Sequence, residues 1–232
     1  MKSALKILTF YTPSHKEIFD RYFLPSFDKI NKNKDFCLQV EEQSDQYVKD
    51  GIYHTHGWAR TQINKIEFYK NEAIKNYGKH LIFSDADIQF FRNFKSNILK
   101  KAKNYDLVAQ QSASRDDITI RGHKLCSGFF IFKAKKEVIS LFEAMQNCIR
   151  IDNDNVADQI CLNKNKNTVN WARLSKKYFT IGMATSGREW DSHTPRQSMA
   201  YIPKDLYLHH ANFVRGLSGK MEVMDIVKGR QL

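Results

Sequence analysis

Two carboxylates one residue apart, Asp85 and Asp87, carry the clearest chemical signal in this chain. An apolar stretch from His80 to Phe83 precedes them, and a second apolar stretch begins at Ile88. The first stretch is predicted as a buried strand, and ligands of α/β sheets bind where strands end. Two acids at such an edge would repel each other, and a divalent cation relieves that repulsion. The alternative is a simple turn, but the flanking apolar stretches favour a metal site that holds a diphosphate.

The elements that position these acids alternate between strand and helix patterns. This alternation predicts an α/β fold with a mixed, mostly parallel sheet and helices on both faces. Ser14 and Glu17 have the spacing of a capping box at the start of the first helix. Residues 175–203 have weak periodicity and are predicted as a binding loop. Besides the acid-tipped strand, the predicted strands are 5–11, 36–40, 106–110, 126–133 and 206–210, and the predicted helices are 14–30, 58–77, 94–103, 138–149, 156–163 and a short terminal one.

The composition predicts one domain over residues 1–232, because 42% hydrophobic and 12% aromatic residues suffice for a packed core. No stretch has the roughly 18 uninterrupted apolar residues of a membrane span. The first apolar run is short for a signal peptide, so a cytoplasmic protein is expected. The cysteines at positions 37, 126, 148 and 161 form no CxxC pair and are expected to be reduced core residues.

The net charge of +12 suggests an anionic partner. The lysines are scattered among asparagines without interleaved aromatic residues, which favours solvated faces over a nucleic-acid-binding module. A nucleic-acid partner is therefore not expected. Peripheral contact of a basic surface with anionic lipid stays open.

Four segments in order resemble one known family. They are the DxD-like Asp85-Ala-Asp87, Ser127-Gly128 on an apolar strand, Asp158-Gln159-Ile-Cys-Leu-Asn, and the late His210-Ala-Asn212…Gly216…Lys220. Together they resemble the nucleotide-sugar-dependent glycosyltransferases of the GT-A fold, close to the retaining galactosyl- and xylosyltransferase-like group. The resemblance implies transfer of a sugar from a nucleoside-diphosphate sugar, with UDP favoured, to a glycan, lipid-linked or other hydroxyl acceptor.

The resemblance also implies a metal site. Asp85, Asp87 and His210 would hold Mn²⁺ or Mg²⁺, and a histidine ligand favours Mn²⁺. Lys220 would place a charge on the diphosphate. His209 is the alternative ligand, but neighbours on a strand point to opposite faces, so only one of the two can reach the metal.

On the sugar side, the resemblance assigns Asp158 to sugar hydroxyls and Gln159 to the far face of the anomeric carbon. A glutamine amide is a poor nucleophile, so Gln159 is expected to stabilise an oxocarbenium-like state. The family usually has Asn where this chain has Ser127, which leaves the donor sugar open. If the reaction inverts, Glu189 or Asp191 is the candidate general base.

Further donor contacts follow from the resemblance. Trp58 is expected in the core, and Arg60 either contacts phosphate or lies on the surface. The nucleotide base and ribose are expected near the end of the first strand. The remaining donor-binding candidates are Tyr11, Thr12, Lys65, Ser84, Gly128, Asn212 and Gly216.

Two other enzyme classes use similar acids. A sugar nucleotidyltransferase would show a glycine-rich loop after the first strand, where this chain reads Tyr11-Thr-Pro-Ser-His. A haloacid-dehalogenase-type phosphatase needs Thr or Val at position 89, which is Gln89. A metal-dependent, retaining glycosyltransferase is therefore the predicted function.

Overall fold

A computed structural model describes residues 3–45, 47–48, 56–112, 124–152, 157–180, 202–214 and 216–231. Strands and helices alternate through most of these ranges, as the sequence predicts. The strands are β1 Leu5–Tyr11, β2 Phe36–Glu42, β3 His80–Asp85, β4 Ile88–Phe90, β5 Leu107–Gln111, β6 Leu125–Lys133, β7 Trp171–Arg173, β8 Tyr178–Thr180 and β9 Leu208–His210. The α-helices are α1 Lys16–Ile18, α2 Leu24–Ile30, α3 Trp58–Lys75, α4 Lys95–Ala102, α5 Lys136–Asp152, α6 Asp158–Asn165 and α7 Leu217–Gln231.

Six strands form the main sheet in the order β2-β1-β3-β6-β5-β7. β1 is parallel to β2 and β3, β5 is parallel to β7, and β6 is antiparallel to both of its neighbours. A small second sheet has the order β4-β9-β8. The prediction of a mixed, mostly parallel sheet is confirmed for the main sheet. The small sheet is new, because its three-residue strands are too short to show a period in the sequence.

Helices cover both faces of the main sheet, as predicted. Alternate residues of β1 point to opposite faces, so Ile7 packs with the helices of residues 16–30 and α4, and Leu8 packs with α3, α5 and α6. α7 packs its apolar residues against the small sheet and the first helical segment. It is longer than the short terminal helix that the sequence predicts, and its packing places the C-terminal region beside the end of β3.

The first helical segment differs from the single capped helix that was predicted. A 3-10 turn at Pro13–His15 precedes α1, and a π-helical stretch at Phe19–Phe23 separates α1 from α2. The capping box does not form, because Glu17 accepts a hydrogen bond from Arg21 and no side chain caps the helix. The proline of the 3-10 turn replaces the cap, since it presets the backbone for a helical start.

The expectation of four reduced core cysteines is wrong in two respects. Cys148 of α5 and Cys161 of α6 form a disulfide with a Cα–Cα distance of 5.8 Å, and Cys37 is exposed. The sequence hides this pair because its partners are 13 residues apart on two different helices. Only Cys126 fits the expectation of a free, buried thiol. No helix among the described residues is long and apolar enough to cross a membrane.

We expect reduction of this disulfide to lower the free energy of unfolding by about 3 kcal/mol, because it closes a short loop in the unfolded chain. Urea unfolding with and without a reductant measures the effect. Cys148→Ser should reproduce it and should remove any further response to the reductant. An unchanged free energy of unfolding would show that the bond contributes nothing to stability.

Candidate active site

The small sheet brings the two acids to the late histidine. Asp85 is the last residue of β3, Asp87 lies in the turn to β4, and Ile88 of β4 pairs with His210 of β9. His210 Nε2 lies 3.2 Å from Asp87 Oδ1 and 3.7 Å from Asp85 Oδ2. One ligand atom from each of these three residues lies within 4.8 Å of the others. Two carboxylates and an imidazole at this spacing fit a divalent cation such as Mn²⁺.

The alternation of β9 separates the two adjacent histidines, as the sequence predicts. His210 faces the acids, whereas His209 is fully buried, with its ring centroid 6.1 Å from that of Phe179. Neither ring nitrogen of His209 has a hydrogen-bond partner in the described part of the chain. Of the two, only His210 has the geometry of a ligand to the cation.

Two lysines balance the charge of the acids. Lys220 Nζ donates to Asp87 Oδ2 at 2.5 Å, and Lys65 Nζ donates to Asp85 Oδ1 at 3.0 Å. Burial acts to raise the pKa of Asp87, but Lys220 and His210 hold it well below its usual value. Burial keeps the pKa of Asp85 above its usual value, although Lys65 opposes this effect. Asp87 is therefore the more firmly ionised of the two acids.

His210 is favoured in its protonated, positively charged form. Burial alone would lower its pKa, but Asp87 and Cys126 together outweigh burial and raise the pKa of His210 to about 10. The strong pull of the acids on this proton marks the position between them as one that favours a cation. The chemistry of the donor set therefore fits a metal ion.

An irregularity in the main sheet forms the opposite wall of the site. Ala109 of β5 pairs with Phe130 of β6, but Gln111 pairs with Leu125, so β6 has three extra residues in this interval. Those residues are 126–128, and they line the cleft beside the acids. Bulged strands redirect side chains in this way, often at active sites.

Gly128 is a close-approach position. A Cβ on Gly128 would overlap the His210 ring and lie 2.6 Å from Asp85 Oδ2. Any side chain here would push the histidine away from the acid. The glycine of the Ser127-Gly128 segment is therefore required by the packing of the candidate metal ligands.

We expect Gly128→Ala to fold but to lose roughly 100-fold in transfer activity, since a shift of about 1 Å at reacting groups has that effect. Calorimetric titration with Mn²⁺ should show weaker binding, and thermal unfolding should show a smaller change. Gly229→Ala, at a position with open space around it, is the matched control. Wild-type Mn²⁺ affinity in Gly128→Ala would contradict this account of the wall.

Asp158 lies at the first position of α6 and is held by several donors. Lys65 Nζ is 2.7 Å from its Oδ2, and Ser127 Oγ and the Gln159 backbone N–H donate to its Oδ1 at 2.9 and 2.6 Å. The amide of Gln62 also faces this carboxylate. Lys65 thus joins Asp158 to Asp85. The hydroxyl of Ser127, where the family usually has Asn, is turned to Asp158.

Gln159 follows on the same helical turn, with its side-chain amide directed across the cleft. Its Nε2 donates to Ser112 Oγ at 2.9 Å, immediately after β5. Gln159 lines the same cavity as residues 126–128. Its assignment to the anomeric carbon stays a prediction.

Two cavities meet at Asp85 and Asp87. Both cavities are also lined by Trp58, Gln62, Lys65 and Lys220. The first, of 140 Å³, extends towards the end of β1 and is also lined by Tyr11, Thr12 and His15. The second, of 250 Å³, extends towards β6 and α6 and is lined by residues 126–128, Asp158, Gln159, His210 and Asn212. The acids therefore stand at the junction of two compartments.

Three candidates from the N-terminal part of the chain, Tyr11, Trp58 and Arg60, differ in how they are placed around the site. Tyr11 is buried, stacks on Phe19 at 4.7 Å between ring centroids, and donates its hydroxyl to Glu42, so one face of its ring is already covered. Trp58 is not a core residue as expected but lines both cavities. Arg60 is exposed and lies over the Tyr47 ring, which agrees with the surface alternative.

The other candidates divide into those that reach the cleft and those that do not. Ser84 is fully buried, donates to the Asp85 carbonyl and lines neither cavity, and its donor contact stays a prediction. Gly216 also lines neither cavity. It has φ +72° and immediately precedes α7, so that Lys220 lies one turn later against Asp87. Glu189 and Asp191 lie outside the described residues.

Sequence reasoning missed three buried residues around His210 and Asp158. Gln110 contacts the ring of His210, Cys126 lies beside the same ring, and Gln62 contacts Asp158. Gln62 has a visible signal, because it lies one turn before Lys65 on the same face of α3. Gln110 and Cys126 have none, since only the sheet irregularity brings them to the site.

With this geometry in place, the comparisons with known proteins are informative. Residues 25–224 match the nucleotide-diphospho-sugar transferase family, and the chain belongs to that family. It is therefore an enzyme, a glycosyltransferase that uses a nucleotide sugar. No curated protein shows a significant match along the sequence.

Solved structures of glycosyltransferases share the fold at low sequence identity. WbbM, a bifunctional glycosyltransferase, has a TM-score of 0.60 at 12% identity, over 100% of this chain and 52% of WbbM. GlyE of Streptococcus pneumoniae TIGR4 has 0.62 at 11%, over 100% of this chain and 61% of GlyE. The galactosyltransferase LgtC has 0.57 at 11%, over 97% and 96% of the two chains. The GT-A fold is thus confirmed, and the chain spans about half the length of WbbM.

Proposed function

We propose that the enzyme is metal-dependent and transfers a sugar, with retention, from a UDP-sugar to a hydroxyl of a glycan or lipid-linked acceptor. The observation that carries the proposal is the convergence of Asp85, Asp87 and His210 at the junction of two cavities. A diphosphate at that junction would leave a nucleoside on one side and a sugar on the other. Residues from β3, β9 and α7 complete one site, which supports a single catalytic domain over residues 1–232.

Asp85, Asp87 and His210 would hold Mn²⁺, or Mg²⁺ with weaker preference. When bound, the cation would neutralise the diphosphate and stabilise it as a leaving group. Lys220, one helical turn into α7, adds a second positive charge beside the same position. Lys65 holds Asp85 and Asp158 in a fixed relation, so the two cavities keep their geometry.

The first cavity supports a pyrimidine nucleotide. Tyr11 lines it, and because one face of the Tyr11 ring already stacks on Phe19, a single open face is left, which suits the one ring of uracil. Thr12 at the end of β1 offers a hydroxyl for the ribose.

The second cavity supports retention. Among the described residues that line it, the carboxylates are Asp85, Asp87 and Asp158, and each is paired with a lysine. None of these three is free to act as the base that an inverting reaction needs, and the candidates for that role, Glu189 and Asp191, lie outside the described residues. Gln159 can stabilise positive charge on the sugar through its amide oxygen. Attack by the acceptor from the side of the leaving diphosphate would then retain the configuration.

A panel of UDP- and GDP-sugars tests the proposal. With Mn²⁺ present, calorimetry should show binding of at least one UDP-sugar, and that donor should be hydrolysed slowly without an acceptor. Removal of the metal with a chelator should abolish both. Nuclear magnetic resonance of the transfer product would show the anomeric configuration. Failure of every nucleotide sugar to bind with Mn²⁺ present would overturn the proposal.

A further inference from the structure

We propose that Gln110 is a positioning residue that orients the His210 ring for the metal ion. The inference rests on the proposed metal dependence and adds a residue that no sequence motif marks. Gln110 lies on β5, opposite the three extra residues of β6, and its side chain is fully buried.

Two hydrogen bonds fix which end of the Gln110 amide faces the histidine. Its Nε2 donates to the carbonyl oxygen of Phe179 in β8 at 3.4 Å. Its Oε1 lies 3.2 Å from His210 Nδ1. Because the Phe179 carbonyl can only accept, the amide nitrogen must point towards it, and the amide oxygen must point towards the ring.

An acceptor at Nδ1 determines what the other ring nitrogen can do. When Nδ1–H donates to Gln110 Oε1, the Nε2 lone pair is left for a cation, and Nε2 is the nitrogen that faces Asp87 and Asp85. Metal-bound histidines usually have such a partner for their second nitrogen. Cys126 Sγ lies 3.5 Å from the same nitrogen, but sulfur is a weak acceptor.

Gln110 also ties the main sheet to the small sheet, so a purely structural role has to be separated from the role at His210. Thr180 provides a neighbouring tie of the same kind, because its Oγ1 donates to the Gln111 carbonyl at 3.2 Å. Thr180→Val removes that tie and leaves the His210 acceptor in place. Gln110→Glu removes the tie to Phe179 but keeps an oxygen that accepts from Nδ1–H.

The test is a calorimetric Mn²⁺ titration, confirmed by paramagnetic resonance, on the wild type and three variants. Gln110→Met keeps the length of the side chain but lacks an oxygen, and it should lower Mn²⁺ affinity roughly 10- to 100-fold. Gln110→Glu and Thr180→Val should bind Mn²⁺ with an affinity near that of the wild type. Thermal unfolding of each variant reports the loss of the sheet-to-sheet ties independently.

Wild-type affinity in Gln110→Met overturns the inference. An equal loss in Gln110→Glu or Thr180→Val also overturns it, because the ties would then matter instead of the acceptor. If Gln110→Met does not fold, the folded Gln110→Glu variant decides alone, and loss of Mn²⁺ binding there counts against the inference. If the wild type itself binds no Mn²⁺, the proposed metal dependence fails instead.

Discussion

Asp87→Ala should lower transfer activity by at least roughly 100-fold, because charge stabilisation by a bound metal contributes several kcal/mol and about 1.4 kcal/mol corresponds to tenfold. Asp87 is the acid that both Lys220 and His210 approach, and its pKa lies well below the usual value. Its loss removes a ligand and leaves two cationic groups without their carboxylate. Initial rates over a Mn²⁺ series, with the best donor of the UDP-sugar panel, measure the effect.

Two further variants separate the loss of a ligand from a loss of folding. Asp87→Asn keeps an oxygen that accepts from Lys220, so it should be more stable than Asp87→Ala and still bind Mn²⁺ poorly. Asp35→Asn removes an acid that is paired with Lys95 and lines neither cavity, so it should keep full activity. Activity of Asp87→Ala near that of the wild type would exclude Asp87 from the metal site.

The sequence predicts the part of the site that depends on local patterns. Asp85 and Asp87 follow an apolar run, and such a run is a buried strand in most α/β folds. The opposite directions of His209 and His210 follow from the two-residue period of a strand. Both predictions are confirmed because they need only the type of element and not its neighbours.

The wall of the site depends on long-range pairing that a single sequence does not show. β4 and β9 have three residues each, and their pairing is what carries His210 to the acids. The three extra residues of β6 become visible only when Ala109 and Gln111 are aligned with their partners. Gln110 is therefore an ordinary strand residue in the sequence and a neighbour of His210 in the fold.

The disulfide is a second feature that depends on long-range packing and that a single sequence does not show. Cys148 and Cys161 each have the sequence surroundings of a core residue, and each is on a predicted helix. Whether two such thiols meet depends on how α5 and α6 pack, with Cα atoms 5.8 Å apart. The disulfide is also close to the site, because Cys161 lies one turn after Asp158 on α6.

The adjacent histidines offer the sharpest test of the metal site, because the same substitution can be made at each. His210→Phe should lower Mn²⁺ affinity by roughly 100-fold or more, since loss of a ligand should cost at least as much as loss of its hydrogen-bond partner. His209→Phe should bind Mn²⁺ as the wild type does. Its ring is fully buried beside Phe179, and its nitrogens have no hydrogen-bond partner among the described residues, so an apolar ring suits that position.

A titration of both variants with Mn²⁺, followed by titration with the donor, distinguishes the possible ligands. If His210 completes the site, His210→Phe should bind the UDP-sugar weakly whether or not Mn²⁺ is present, because Asp85 and Asp87 repel a diphosphate when no cation lies between them. Loss of Mn²⁺ affinity in His209→Phe and not in His210→Phe would reverse the assignment. Equal affinities in the two variants would mean that the carboxylates hold the ion without a histidine, as they would hold Mg²⁺.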